Sequence, residues 1–294
     1  MMVVRTVALT KRYGEHEVLS NVELEVSNGS VFGLVGPNGA GKTTLLAILS
    51  GLRRPTSGQV QLGVPHRRIA VLPDTPQFDP WLTGREVVAL AAHLAGVKEG
   101  DPELDRVLGE AGLSAAAGRR VGGYSRGMLQ RLGIAATLIG EPHLLLLDEP
   151  ASALDPAGRR EVLDLIGRMR GEATVLLSSH MLADVQEVCD AVAILRAGRL
   201  LFQGTLDDLL VGRAVPAYRI HLRSSTDPVV DALRRQAWVT GVVEQAPQWL
   251  HINVRSLSEA ELNLATVLGD CGAQVISMHP DAPDLEDVFL ELTS

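Results

Sequence analysis

One glycine-rich segment of the sequence has the residue types and spacing of a phosphate-binding loop. It reads Gly36-Pro37-Asn38-Gly39-Ala40-Gly41-Lys42-Thr43, followed by Thr44, and satisfies the pattern G-x-x-x-x-G-K-S/T. Glycines let backbone N–H groups converge on phosphate oxygens, and a following helix directs its N-terminal donors at the same anion. Lys42 supplies a positive charge for the terminal phosphates, and the Thr43 hydroxyl is a ligand for magnesium. The segment predicts a nucleotide site, with a plain glycine-rich turn as the alternative.

Two adjacent carboxylates follow an apolar run further along the chain. Leu144–Leu147 has the composition of a buried strand and leads directly into Asp148 and Glu149. Neighbouring side chains of a strand point to opposite sides, so we expect the two acids to have different roles. Asp148 is predicted to hold the metal through its water shell, and Glu149 to orient and deprotonate an attacking water. An exposed turn is the alternative.

The elements around these residues indicate a parallel sheet with helices. Val31–Val35 is an apolar run ending at glycine, and Thr43–Ser50 has leucines at helical spacing, so the loop lies between a strand and a helix. Leu144–Leu147 and Thr174–Leu177 are further apolar runs that alternate with helical segments. This alternation predicts a buried parallel sheet with crossover helices.

The first 30 residues have a different pattern. Val3–Leu9 and Val22–Val26 alternate apolar and polar residues, and turn formers such as Asn28-Gly29 bound them. Such alternation is typical of half-buried strands, so the sequence predicts an antiparallel β region at its start.

A helical region is predicted from Thr83 to about Gly140. Thr83 and Glu86 have the spacing of a capping box at the start of a helix. Alanine-rich stretches at Ala111–Ala117 and Ala135–Leu138 extend the helical pattern. We expect an inserted helical lobe.

The composition changes near Val211–Pro216, beyond a hairpin predicted around Arg196–Arg199, and we place a domain boundary there. The elements predicted beyond it are the strand Tyr218–Leu222, the helix Pro228–Gln236, the strands Val239–Glu244 and Leu250–Val254, the helix Ser258–Leu268, the strand Gln274–His279 and the helix Leu285–Leu292. The order βαββαβ is that of a ferredoxin-like module. His251 and His279 are isolated histidines, which we interpret as structural or exposed.

Composition excludes several classes of protein. A chain of 294 residues has the length of about two domains, since a domain holds roughly 100–200 residues. With 46% hydrophobic and 21% charged residues it is not disordered. It contains no apolar run of the roughly 20 residues that span a bilayer, and we expect no signal peptide.

Net charge and cysteine content give information on nucleic-acid binding and on the redox compartment of the protein. The net charge of −8 argues against a nucleic-acid partner. Cys189 and Cys271 have no metal-ligand or redox spacing, which indicates reduced thiols in a cytosolic protein.

Further motifs make the interpretation more specific. They are Tyr124-Ser125-Arg126-Gly127-Met128 with Gln130-Arg131, Ser152-Ala153-Leu154-Asp155, Ser178-Ser179-His180, and Tyr13 within Lys11-Arg12-Tyr13-Gly14. They are similar to the signature, the D-loop, the switch histidine and the adenine-stacking aromatic residue of ABC proteins. Over about residues 3–210, with every expected element in order, the sequence resembles the ATP-binding subunits of ABC transporters.

The resemblance implies an α/β fold, that of a P-loop NTPase. Residues 1–212 would form an ABC-type nucleotide-binding domain with an antiparallel β subdomain and an inserted helical lobe at about 76–140. Residues 213–294 would form a small C-terminal α+β domain of ferredoxin-like topology. The implied cofactors are ATP and Mg²⁺, and the implied reaction is ATP hydrolysis coupled to transport.

The resemblance also implies individual roles. Tyr13 would stack on adenine, and His180 would contact the γ-phosphate as a catalytic residue beside Glu149 and Lys42. Asp155 would act from across a dimer, with a simple turn residue as the alternative.

The signature implies a second phosphate site. Ser125 can cap the helix that follows and present free backbone donors to an anion. In the family, Ser125–Gly127 of one copy would meet the ATP held by Gly36–Thr43 of another copy, head to tail. The expected partner is therefore a second copy of the chain, and an ordinary capped helix is the alternative.

Two positions depart from the family pattern. Arg126 and Met128 stand where the signature usually has glycine and glutamine. Asp74 stands where the family usually offers a glutamine to magnesium and the attacking water, and Gln77 follows three residues later. We expect Asp74 in the nucleotide and metal site.

The other expected partner is an integral membrane permease subunit. Pro76–Arg85, with Phe78 and Trp81, precedes the helical lobe where family members receive their membrane partner; core packing of Trp81 is an equal alternative. The tail after Val211, which ends with Asp284–Leu290, resembles the C-terminal extension of export-type subunits that handle drugs, lipids, polysaccharides or peptides. We therefore expect an exporter subunit, cytoplasmic and peripheral on the inner face of the cell membrane.

Two other functions remain as alternatives. A non-transport ABC ATPase of DNA repair or translation usually carries two nucleotide-binding domains, zinc modules or long coiled coils, which this sequence lacks. A small-molecule kinase would need an acceptor site in place of the signature.

Overall fold

The computed structural model describes residues 2–97, 100–152, 154–210 and 216–281, and the chain divides into two compact units, residues 1–206 and 207–294. The strands of the first unit are β1 (Met2–Tyr13), β2 (His16–Val22), β3 (Glu25–Ser27), β4 (Val31–Val35), β5 (Ser57–Leu62), β6 (Ile69–Leu72), β7 (Leu144–Leu147), β8 (Thr174–Ser179), β9 (Ala191–Arg196) and β10 (Arg199–Thr205). The helices up to residue 210 are α1 (Lys42–Leu49), α2 (Gly84–Leu94), α3 (Asp101–Glu110), α4 (Arg126–Leu138), α5 (Pro156–Arg168), α6 (Leu182–Val188) and α7 (Leu206–Leu210).

Six strands form the central sheet in the order β10-β9-β4-β8-β7-β6. Strands β9, β4, β8, β7 and β6 run parallel, and β10 is antiparallel to β9 in the predicted hairpin. All residues of β4, β7 and β8 are buried, because both faces of the parallel sheet are covered, one of them by α1 and the antiparallel strands at the start of the chain. The predicted parallel sheet is confirmed, and the carboxyl ends of β4, β7 and β8 lie side by side.

A second sheet at the start of the chain is antiparallel, as predicted, with β1 pairing with β2, β3 and β5. The prediction of one strand over Val22–Val26 is wrong, because β2 ends at Val22 and β3 begins at Glu25. The break at Glu23 and Leu24 lets the chain move from one flank of β1 to the other, where Leu24 N–H donates to the hydroxyl of Thr6. Alternation of residue types continues across the break, so the pattern alone does not reveal it.

The helical lobe contains α2, α3 and α4. The capping box is confirmed: Thr83 Oγ1 accepts from Glu86 N at 3.2 Å, and Thr83 N donates to Glu86 Oε2 at 2.7 Å. The prediction of helical structure over Ala111–Ala117 is wrong. Helix α3 ends at Glu110, Gly112 has φ +67°, and only a single 3-10 turn follows at Ser114–Ala116, because the glycine favours a left-handed turn over a continued helix.

The main core of the first unit lies between the two sheets and around α1. Leu45, Leu46 and Leu49 of α1 are buried against Leu34 of β4 and Leu195 of β9. This packing fixes the start of α1 directly beyond the carboxyl end of β4, and so determines where the connecting loop lies.

The second unit has its own sheet and core. Its elements are β11 (Ala217–Leu222), α8 (Asp227–Arg234), β12 (Val239–Ala246), β13 (Trp249–Val254), α9 (Leu257–Asp270) and β14 (Val275–Asp281). The strands pair antiparallel in the order β12-β13-β11-β14, with the two helices packed against the buried side chains. This is the predicted ferredoxin-like βαββαβ topology. The predicted helix Leu285–Leu292 and the tail Asp284–Leu290 lie outside the described residues.

Candidate nucleotide site

The glycine-rich loop joins β4 to α1, as predicted. A Cβ atom on Gly36 would lie 2.1 Å from the Leu195 carbonyl oxygen, so this position admits no side chain. Gly41 has φ +107° and is the N-cap of α1, and no side chain caps that helix. The first N–H groups of α1 therefore remain available to an anion held by the loop.

The side chain of Lys42 lies against the loop and is only 6% exposed. Its Nζ donates to the carbonyl oxygens of Gly36 at 2.7 Å and Pro37 at 3.4 Å. It also lies 3.1 Å from Oε1 of Glu149. A buried positive charge needs such oxygen partners, and phosphate oxygens can replace them.

Glu149 connects Lys42 to the candidate switch histidine. Its Oε2 lies 2.8 Å from Nδ1 of His180, and the backbone N–H of His180 donates to the same oxygen at 3.4 Å. The Glu149 side chain is 14% exposed and that of His180 is 40% exposed, so the pair lies at the edge of the protein interior. The structure thus brings together the three residues predicted to be catalytic.

Asp148 is 5% exposed and receives a hydrogen bond from the hydroxyl of Ser178, with Oγ 2.6 Å from Oδ1. The same hydroxyl accepts the N–H of Glu149 at 2.8 Å. Glu149 has φ +48°, a left-handed conformation that is rare for a residue with a side chain. The two carboxylates therefore have different partners: that of Asp148 binds Ser178, and that of Glu149 binds Lys42 and His180.

A cavity of about 280 Å³ surrounds the loop. Its lining consists of Val18, Pro37, Asn38, Gly39, Ala40, Gly41, Lys42, Thr43, Thr44, Asp74 and Glu149. Asp74 lines this cavity, whereas Gln77 does not. Tyr13 lies outside this lining as well; its ring is 46% exposed, with the Lys11 ammonium 4.9 Å from the ring centroid.

The oxygen donors near the loop fit magnesium. Thr43 and Asp74 line the cavity and offer a hydroxyl and a carboxylate, whereas Asp148 does not line it and offers its carboxylate from beside Glu149, where it accepts the Ser178 hydroxyl. Such oxygens are the hard ligands that Mg²⁺ prefers. Within the described residues, no group of three or more His, Cys, Asp or Glu side chains is arranged to hold a metal ion. Magnesium bound with a nucleotide usually takes one or two carboxylates together with phosphate oxygens and water.

The signature residues line a different cavity, of about 400 Å³. As predicted, Ser125 caps α4, with its Oγ accepting from Met128 N at 3.2 Å. The lining also contains Arg126, Gly127 and Asp155, and Asp155 caps α5 by accepting from Gly158 N at 3.0 Å. Among the described residues, this cavity and the loop cavity share no lining residue.

Comparison with known proteins identifies the family. Residues 19–152 match the family described as ABC transporter. A Bacillus subtilis (strain 168) protein described as an uncharacterized ABC transporter ATP-binding protein, YxlF, is 35% identical over 97% of this chain and 97% of its own length. This chain is an ATP-binding subunit of the ABC transporter family. As a member of the family, the subunit binds ATP, and its family implies ATP hydrolysis together with a membrane permease.

Other relatives of the ABC subunit extend the comparison. The daunorubicin resistance ATP-binding protein DrrA3 of Streptomyces coeruleorubidus is 33% identical over 96% of this chain and 93% of its own. A solved structure of an ATP-binding subunit of an ABC transporter superposes with a TM-score of 0.63 at 32% identity, covering 70% of this chain and 91% of that chain. None of the helices in the described part of this chain is long and apolar enough to cross a membrane.

Two residues of the ABC subunit's site carry no assigned role in the sequence analysis. Val18 of β2 lines the loop cavity because the hairpin of β1 and β2 lies against the loop, where a Cβ atom on Gly41 would be 2.9 Å from the Val18 carbonyl oxygen; no local pattern reveals that contact. Ser178 bonds both acids. A signal for Ser178 existed, because a hydroxyl in a buried strand requires a hydrogen-bonding partner in the interior.

Proposed function

We propose that this ABC subunit hydrolyses ATP at two composite sites formed by two copies packed head to tail, and that this cycle drives an export permease. The supporting observation is that the phosphate loop and the signature line separate cavities within one chain. Each cavity offers helix N-terminal donors to an anion, at α1 in one and at α4 in the other. A second copy would bring the two halves to the same nucleotide.

Binding begins at the loop. The terminal phosphates of ATP would take over Lys42 from the Glu149 carboxylate and from the loop carbonyls, since a polyphosphate offers more negative charge to the same ammonium. Glu149 then exchanges an ion pair for contact with water. Nucleotide binding and activation of the base are thus linked through one lysine.

Hydrolysis requires a base beside the γ-phosphate. Glu149 would accept a proton from water as the water oxygen bonds to the γ-phosphorus and the bond to the β,γ-bridging oxygen breaks. His180, bonded to Glu149, would hold that carboxylate in place and contact the γ-phosphate. Both side chains are at the edge of the interior, where a water can reach them.

Magnesium and adenine have candidate partners on the same chain. Thr43, Asp74 and Asp148 would hold magnesium, which would supply neutralisation of the charge on the transferred phosphoryl group. Tyr13 would stack on adenine with its exposed ring, since Lys11 lies near that ring without burying it.

The dimer proposal is tested by mixing two inactive variants. Glu149→Gln removes the base, and Gly127→Asp places a negative charge in the signature. In a head-to-tail dimer of one chain of each kind, one site carries both changes and the other carries neither. With random pairing, mixing should restore roughly a quarter of the wild-type rate. No gain over the separate variants contradicts the composite site.

A membrane permease is the proposed partner of the helical lobe. Trp81 is 72% exposed, so the alternative of core packing is not what the structure shows. The Arg120 guanidinium lies 5.7 Å from its ring centroid, and Leu90 and Leu94 are exposed on α2 at i, i+4 spacing. Large exposed apolar side chains mark interaction surfaces. Docking there would place the subunit at the inner face of the membrane, in the cytoplasm.

Export is the proposed direction. The relative named for daunorubicin resistance aligns with 96% of this chain, including the second unit. Resistance to a drug through an ATP-driven transporter is consistent with removal of that drug from the cell. Measuring ATP-dependent movement of a substrate in vesicles that hold this subunit and its permease tests the direction, and uptake into the cytoplasmic compartment contradicts it.

A further inference from the structure

Ser178 joins the ends of two neighbouring strands. It lies in β8 next to β7, and its side chain is fully buried. A hydroxyl has one proton and two lone pairs. Ser178 donates its proton to Asp148 Oδ1, so a lone pair accepts the N–H of Glu149. One small side chain thus contacts both acidic residues.

The contact to Glu149 fixes a costly backbone conformation. A left-handed φ of +48° is unfavourable for a residue with a side chain and persists where surrounding contacts determine it. With its backbone held in this way, Glu149 places its carboxylate between Lys42 and His180. Without the bond to Ser178, the backbone N–H of Glu149 loses the partner that favours this conformation.

We propose that Ser178 is a positioning residue that sets Asp148 for magnesium and Glu149 for the attacking water. This inference rests on the proposed hydrolytic function. Because Ser178 has no exposed surface, water cannot replace its hydroxyl without rearrangement of the strands. Loss of the hydroxyl therefore disturbs two roles at once, while the phosphate loop remains intact.

The test is Ser178→Ala with two readouts. The first is steady-state ATP hydrolysis at saturating ATP and magnesium, in which kcat should fall at least about tenfold, because full loss of a base costs about 10²–10⁴-fold. The second is binding of a fluorescent ATP analogue with magnesium and with EDTA. The variant should bind as the wild type does in EDTA and lose most of the enhancement by magnesium.

Thr174→Val is the matched control. Thr174 begins the same strand, is 1% exposed, and accepts Gly29 N–H with its hydroxyl at 2.9 Å. The substitution removes a buried hydroxyl at the other end of β8, so it should lower stability without changing kcat or the magnesium dependence.

If Ser178→Ala does not fold, Ser178→Cys takes its place, since a thiol has nearly the same shape and forms only weak hydrogen bonds. The same loss of kcat and of magnesium enhancement is expected. A variant with wild-type kcat and wild-type magnesium dependence overturns the positioning role. If the wild type itself does not hydrolyse ATP, the proposed function fails instead, so the two failures are distinguishable.

Discussion

Glu149 is held by contacts of three kinds: an ion pair with Lys42, a hydrogen bond to His180, and a backbone bond to Ser178. Each partner comes from a different element, namely α1, the segment after β8, and β8 itself. The position of the Glu149 carboxylate therefore depends on the relative placement of these three elements.

The first prediction concerns the base. Glu149→Gln keeps the size of the side chain but replaces one acceptor oxygen with a donor NH₂ and cannot take up the proton, so kcat should fall by about 10²–10⁴-fold. ATP should still hold the two copies together, as measured by size-exclusion chromatography with light scattering. Glu172→Gln, an exposed residue that lines neither cavity, is the control and should be unchanged. Normal hydrolysis by Glu149→Gln would show that another group is the base.

The second prediction concerns the loop lysine. Lys42→Ala removes a charge-assisted hydrogen bond to the terminal phosphates. Such a bond is worth about 1.5–3 kcal/mol, so the dissociation constant for ATP should rise about 10- to 150-fold. Titration of a fluorescent ATP analogue measures this directly. Arg67→Ala, which removes an exposed positive charge elsewhere, should leave the affinity unchanged. Unaltered affinity of the Lys42 variant would contradict its role in phosphate binding.

Local sequence predicts a contiguous motif better than it predicts contacts between distant segments. The loop from Gly36 to Thr43 is a contiguous segment, so its chemistry and its place after a strand are readable together. The pairing of Glu149 with His180 depends on which strands are neighbours in the sheet, and Ser178 acquires its role only through that order. Contacts between distant segments are set by packing, which the residue pattern constrains but does not specify.

Among the elements, α2 offers a test of the helical lobe. Thr83→Ala removes the cap from α2 and should lower the free energy of unfolding by about 1 kcal/mol. For a unit of this size that corresponds to a decrease of about 2–4 °C in Tm by differential scanning calorimetry. Thr83→Ser keeps the hydroxyl and serves as the control. An unchanged Tm for Thr83→Ala would mean that the cap does not stabilise the lobe.

The capping box also has a pH dependence with a definite sign. Hydrogen bonds from the backbone and side chain of Thr83 lower the pKa of Glu86. A lowered carboxyl pKa means that its contribution is present at neutral pH and is lost as the pH falls through the folded-state value. The difference in Tm between the wild type and Thr83→Ala should therefore shrink in acid.

Prediction of elements succeeded where composition and boundary agree. Val31–Val35 is a strand as predicted, because it is apolar throughout and glycine ends it. The break in Val22–Val26 follows a tertiary hydrogen bond from Leu24 to Thr6, and the end of α3 follows the left-handed turn at Gly112; neither alternation nor alanine content reveals them. Patterns of hydrophobicity identify which face is buried, and the turns decide where the chain changes direction.

The last prediction concerns the surface around Trp81, where we expect the membrane permease to bind. Trp81→Ala should reduce recovery of the subunit with its integral membrane permease by about thirtyfold or more, since a tryptophan at the centre of an interface is worth about 2 kcal/mol or more. Co-purification from detergent-solubilised membranes measures the effect, and hydrolysis by the subunit alone should not change. Leu262→Ala, equally apolar and 79% exposed on α9 of the second unit, is the control. Equal recovery of both variants would place the partner elsewhere.

The division of the two half-sites between separate cavities has a kinetic consequence. If two chains must meet before any ATP is cleaved, the rate of ATP hydrolysis in a dilute preparation rises with the square of the protein concentration. Isolated chains then hydrolyse almost no ATP. A permease that carries two of them side by side replaces that chance encounter with an effective concentration on the order of millimolar. Futile turnover would then be suppressed wherever the transporter has not assembled.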